Sequence, residues 1–105
     1  MKKRASKPSI LCVDDEPDVL EGLQLTLGKY FQVNTAPGGH AGLDLLESCD
    51  DIVVVVSDMK MPRMTGSEFL AQVAQRHPQV IRVLLTGQSD MESAVSAVND
   101  GQIFR

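Results

Sequence analysis

Short apolar runs and longer amphipathic segments succeed one another along this chain. Ser9-Ile10-Leu11-Cys12-Val13 and Ile52-Val53-Val54-Val55-Val56-Ser57 have the near-continuous, β-branched character of strands buried on both faces. Val80-Ile81-Arg82-Val83-Leu84-Leu85 reads as another such strand, and Phe31 to Thr35 as a shorter one. Between the strands the period lengthens to that of a helix. Pro17 to Lys29 sets Val19, Leu20, Leu23 and Leu27 on one stripe, with Pro17 suited to a first helical turn. Gly38 to Ser48, carrying Ala41, Leu43, Leu45 and Leu46, reads as a second helix. Thr65 and Glu68 form a capping-box pattern that opens a third helix with Phe69, Leu70 and Val73 inward. Ser89 and Glu92 repeat that pattern around Met91, Ala94, Val95 and Val98, and Ile103-Phe104-Arg105 begins a fifth strand.

Strict strand-helix alternation with short connections predicts right-handed crossovers and a parallel sheet with helices on both faces, the doubly wound α/β class. A chain of 105 residues, 43% of them hydrophobic, has material for one core and not two. Residues 1–7 are expected to form a basic, flexible leader and residues 8–105 the domain. Four of the ten basic residues (Lys2, Lys3, Arg4, Lys7) precede Pro8, which leaves six against fourteen acidic residues in the rest. So acidic a body argues against direct nucleic-acid binding. No apolar run is long enough to span a bilayer and none follows the basic start as an export segment would, so a cytoplasmic location without membrane contact is expected. Cys12 and Cys49 lack metal or redox spacing and read as incidental thiols.

The chemistry lies at the strand ends. Asp14 and Asp15 close the first strand, Asp58 closes the strand Ile52–Ser57, and Thr86 closes the strand Val80–Leu85. Open parallel sheets bind ligands in the crevice outside the carboxyl ends of their strands, at the point where the winding reverses. If the first and third strands are neighbours there, three carboxylates converge. Each close pair then repels by about 4 kcal/mol at an effective dielectric near 20, so the group needs a cation or a proton. Hard oxygen ligands with room for water suit Mg²⁺, and no His or Cys cluster competes. A carboxylate beside such an ion can attack a phosphoryl group, and Thr86, with Gly87 beside it, can offer a hydroxyl to a phosphoryl oxygen.

At these residues the chain resembles the receiver domain of two-component response regulators. Asp14-Asp15 after an apolar strand, Asp58-Met59-Lys60-Met61-Pro62 followed by Gly66, and Leu85-Thr86-Gly87 with Asp90 carry the likeness, which runs from about Pro8 to Arg105. The resemblance implies the CheY-like strand order 2-1-3-4-5. It makes Asp58 the phosphoacceptor and gives Mg²⁺ to Asp15, Asp58 and the backbone carbonyl of Lys60, with Asp14 acting through water. Thr86 becomes the switch hydroxyl, while Lys60, Gly87 and Gln88 tune access to the acceptor. The implied partners are a sensor histidine kinase as phosphodonor and an output module. The Leu84-Leu85-Thr86-Gly87 and Ala97-Val98-Asn99-Asp100-Gly101 segments resemble receivers attached to cyclic-di-GMP phosphodiesterases or transcription activators.

The family's active-site lysine and fifth helix would follow the fifth strand, and neither falls within these 105 residues. An incomplete fifth strand and a bared sheet face are expected to be covered by another chain, a swapped segment or further residues. Phe104 falls slightly early for the family's switch aromatic and reads as an ordinary strand residue. Blander assignments stand beside the functional ones. Asp14 and Asp15 can cap the helix that begins at Pro17, Thr86 can be a turn residue, Met59, Met61 and Met64 read as packing and loop residues, and His40 and His77 read as surface residues. Asp58 in register with Asp14 and Asp15 favours the site over the cap. Of three function classes, a phosphoacceptor signalling domain leads. A Mg²⁺-dependent phosphatase would be expected to carry an acid/base carboxylate two residues past its nucleophile, where Lys60 stands, and a phosphorylation-independent interaction module remains the alternative.

Overall fold

The structure, a computed structural model, describes residues 7–85. Seven elements alternate in chain order: β1 (Ser9–Val13), α1 (Pro17–Leu27), β2 (Gln32–Ala36), α2 (Gly39–Ser48), β3 (Ile52–Asp58), α3 (Gly66–Arg76) and β4 (Ile81–Leu85). The predicted elements are found with ends shifted by one or two residues, except that Asp58 is the last residue of β3 rather than the first beyond it. The expected fourth helix and fifth strand lie outside the described residues.

All ladders are parallel, in the order β2-β1-β3-β4. The chain starts at β1, winds outward to β2, and returns past β1 to β3, so the winding reverses between β1 and β3. Alternate residues of the strands supply two cores, because successive side chains of a strand point to opposite faces. Ile10 and Cys12 with Val33, Val54 and Val56 take α1 through Leu23, Val19, Leu20 and Leu27. Leu11, Val13 and Val55 take α2 and α3 through Leu43, Leu46, Phe69, Leu70 and Val73. Gly42 is where α2 closes on this second core, since a Cβ there would sit 3.0 Å from the Phe69 ring and 3.1 Å from Val13 Cγ2.

The helix starts differ in chemistry. At α3 the capping box forms as predicted: Glu68 N donates to Thr65 Oγ1 at 3.1 Å and Thr65 N donates to Glu68 Oε1 at 2.9 Å. The N-cap of α1 is Glu16, whose side chain makes no capping bond, with Pro at the start of the helix. Asp14 and Asp15 are therefore not its caps.

Two positions depart from the sequence reading, and a third buries a charged side chain. Val53 belongs to a run read as doubly buried, yet it is 44% exposed. Register shifts between Ser9 and Ile10, which pair with Ile52 and Val54, so Val53 is the extra residue of a bulge and leaves the packed surface. His77 is not a plain surface residue. Its side chain is 18% exposed, and its Nε2 faces Glu47 Oε2 of α2 at 3.5 Å without a hydrogen bond. Arg82 is 5% exposed and donates from Nη1 to the Val80 carbonyl at 3.1 Å, a polar head folded back along its own strand.

Candidate functional site

The switch point brings the three predicted carboxylates together. Val13 pairs with Ser57 across β1 and β3, so the next residues of each chain, Asp14 and Asp58, leave the sheet side by side. Carboxylate oxygens of Asp14, Asp15 and Asp58 all lie within 4.8 Å of one another. Asp14 is buried at 5% exposure, Asp58 is half-buried and Asp15 is exposed, so the group runs from the sheet edge into solvent.

Asp14 is anchored at both ends. Its backbone N donates to the Ala36 carbonyl at 3.2 Å, continuing the β1–β2 ladder by one bond. Its Oδ1 accepts from Glu16 N at 2.8 Å, a local turn that aims the carboxylate along the crevice. Burial raises its pKa above the ordinary carboxylate value; the bond from Glu16 N opposes this, and the charges of Asp58, Asp15 and Glu16 reinforce it. A carboxylate pushed toward its protonated form by burial and by three neighbouring acids is a site in want of a cation. Three oxygen donors, with no nitrogen or sulfur in the group, fit Mg²⁺.

Behind Asp58 the backbone is held tightly. Ser57 Oγ donates to the Asp58 carbonyl at 2.9 Å. Met59 N donates to the Leu85 carbonyl at 2.9 Å, and Gly66 N donates to the Met59 carbonyl at 2.9 Å. A Cβ on Gly66 would overlap the Asp58 carbonyl oxygen and come within 2.9 Å of its carbon. Between Met59 and Gly66 the chain turns sharply: Met64 N donates to the Pro62 carbonyl at 2.7 Å across Arg63, whose φ is +72°. That is a γ-turn with a non-glycine residue in the left-handed region. Met61 and Met64 bury their side chains in the α2–α3 core, as packing residues should, and Met59 Sδ accepts from Ser67 Oγ at 3.3 Å.

Lys60, two residues past the end of β3, is exposed. Thr86, Gly87 and Gln88 lie outside the described residues. Leu85, the residue before Thr86, pairs with Asp58 in the β3–β4 register. Ser57 was missed by sequence reading, though a polar residue closing an apolar run beside Asp58 was a visible signal.

Residues 10–103 match the response regulator receiver domain family. The chain belongs to that family. The receiver domain is 33% identical over 97 residues to the hydrogenase transcriptional regulatory protein HoxA of Cupriavidus necator, covering 92% of this chain and 20% of that protein. It is 36% identical over 90 residues to the DNA-binding transcriptional regulator NtrC of Klebsiella pneumoniae, covering 85% and 19%. Among solved structures, the signal receiver domain of an HD domain-containing protein from Pseudomonas fluorescens superposes with a TM-score of 0.75 at 34% identity, covering 94% of this chain and 79% of that one. The chain thus spans about a fifth of the length of the curated relatives it matches. Receiver domains are signalling domains, and the parallel order β2-β1-β3-β4 is that of the CheY-like fold.

Proposed function

We propose that this receiver domain accepts a phosphoryl group on Asp58 from a sensor histidine kinase and passes the change to an output module. The observation that carries the reading is the convergence of Asp14, Asp15 and Asp58 within 4.8 Å at the switch point. Asp15, Asp58 and the Lys60 carbonyl would hold Mg²⁺ and Asp14 would reach it through water; the ion supplies positive charge to the transferring phosphoryl oxygens. The chain's own part is to aim an ionised Asp58 oxygen at phosphorus. A new P–O bond forms as the P–N bond of the donor's phosphohistidine breaks, and the imidazole leaves and takes up a proton.

By the same family reading Thr86 would offer its hydroxyl to a phosphoryl oxygen, and Lys60, Gly87 and Gln88 would tune the access of water to the product. The domain thereby assists its own phosphorylation and dephosphorylation without being an enzyme for a separate substrate. The names of the curated relatives favour a transcriptional regulatory module as output, and the HD domain-containing neighbour makes an HD-domain output the alternative. No helix among the described residues is long and apolar enough to cross a membrane, in keeping with a cytoplasmic partner of a kinase.

The test is phosphoryl uptake from acetyl phosphate with Mg²⁺, read by intact mass. The parent should gain one phosphoryl group, and Asp58→Asn should gain none while keeping its fold by circular dichroism. Equal uptake by the variant removes Asp58 from the role. Absence of uptake by the parent, from both acetyl phosphate and a phosphorylated kinase, would favour a phosphorylation-independent interaction module.

A further inference from the structure

Ser57 is fully buried, at 0% exposure, on the α2–α3 side of the sheet, opposite to Asp58. An alanine there would fill nearly the same space without placing a hydroxyl in an apolar core, where an unmatched polar group costs about 1–3 kcal/mol. The hydroxyl is matched, and by a particular atom: it donates to the carbonyl of Asp58 itself. That carbonyl and the Met59 N–H belong to one peptide plane, and the N–H is held from the other side by the Leu85 carbonyl. The next plane is held in turn by Gly66 N on the Met59 carbonyl. Two consecutive planes directly after Asp58 are therefore clamped by three bonds of 2.9 Å, and only one of the three comes from a side chain. Turning the first plane about the Asp58 Cα–C and Met59 N–Cα bonds would break the bond to Leu85 and displace the segment that carries Lys60 past the Asp58 carboxylate.

We infer that Ser57 is a positioning residue for the Asp58 acceptor, its hydroxyl fixing the peptide plane that follows Asp58 and with it the course of the Lys60 segment beside the carboxylate. The inference rests on the phosphoacceptor reading above. Misplacing a reacting atom by about 1 Å can lower a rate by up to about 10²-fold, and loosening a single plane should cost about tenfold. The experiment measures phosphoryl uptake from acetyl phosphate at saturating Mg²⁺ and donor in full-length protein, beside urea unfolding of each variant. Ser57→Ala should fall about tenfold in rate, Ser57→Thr, which restores a hydroxyl, should recover to within about threefold of the parent, and Ser57→Cys, a weak donor of similar shape, should lie between. Rates for Ser57→Ala and Ser57→Cys within twofold of the parent would overturn the inference. So would rates that follow the urea midpoints of the variants rather than the presence of a hydroxyl, since Ser57 would then act through packing alone. A parent that takes up no phosphoryl group refutes the phosphoacceptor reading itself and this inference with it, an outcome distinct from an active parent matched by an active Ser57→Ala.

Discussion

Gly66→Ala tests how closely the β3–α3 loop is built around Asp58. The added methyl would overlap the Asp58 carbonyl oxygen and sit 2.9 Å from both the Asp58 carbonyl carbon and Leu84 Cδ1. The obstructing atoms are mostly backbone, so no rotamer change relieves them. Overpacking of this kind costs about 1–3 kcal/mol, and because the neighbour cannot yield, the upper half of that range applies. Alanine recovers up to about 1 kcal/mol of helix propensity, less in a first turn than in a helix interior. The net loss is about 2 kcal/mol, a sizeable part of a domain stability of about 5–15 kcal/mol. With a urea m-value of about 1–3 kcal/mol/M, the unfolding midpoint should fall by about 1 M. The clash also pushes the acceptor backbone, so uptake on Asp58 should fall in the protein that remains folded. Gly22→Ala is the matched control, since a Cβ at this exposed position in α1 meets nothing within 4 Å and should raise stability by about 0.5–1 kcal/mol. A Gly66→Ala midpoint equal to the parent's, with the m-value unchanged, would refute the close approach of Gly66 to the acceptor strand.

Asp14 carries a pH signature whose sign is set by burial. Its folded pKa is raised by burial first and by the neighbouring acids after, so the fold favours the protonated carboxyl; that contribution is present in acid and is lost as pH rises from the ordinary carboxylate value through the folded one. Asp14→Asn should therefore raise the urea midpoint at pH 7 without Mg²⁺, raise it less at pH 4, and weaken the stabilisation that added Mg²⁺ brings; a variant no more stable than the parent at pH 7 would refute the burial argument. Arg63, held at φ +72°, should give about 0.5–1 kcal/mol of added stability when replaced by Gly, because the left-handed penalty of about 1–2 kcal/mol outweighs the entropy a glycine loses on folding. Calorimetry showing Arg63→Gly no more stable than the parent would mean that the turn is relaxed as it stands.

Local rules were enough for much of this protein. Continuous β-branched runs set against stripes of helical period separated strands from helices, Thr65 with Glu68 marked the start of α3, and Leu23, Phe69 and Val73 were assigned to the core before any contact was known. Asp14, Asp15 and Asp58 were legible as strand-end carboxylates because chain order alone places them at the same edge of a parallel sheet. Other features depended on partners far away in the chain. Val53 looks like its valine neighbours, and only the register shift against Ser9 and Ile10 turns it outward. His77 meets Glu47 only because α2 and α3 pack together. Asp14 and Asp15 taken alone fit a helix cap as well as a site; in the fold Glu16 takes the cap position and the Asp14 carboxylate accepts from Glu16 N. In one dimension Ser57 shows only as a polar residue closing an apolar run; its meaning arises when β4 and the start of α3 close on the peptides after Asp58. A sequence declares which residues carry charge and which period they follow, whereas burial, register and the aim of a single peptide plane are properties of chains brought side by side.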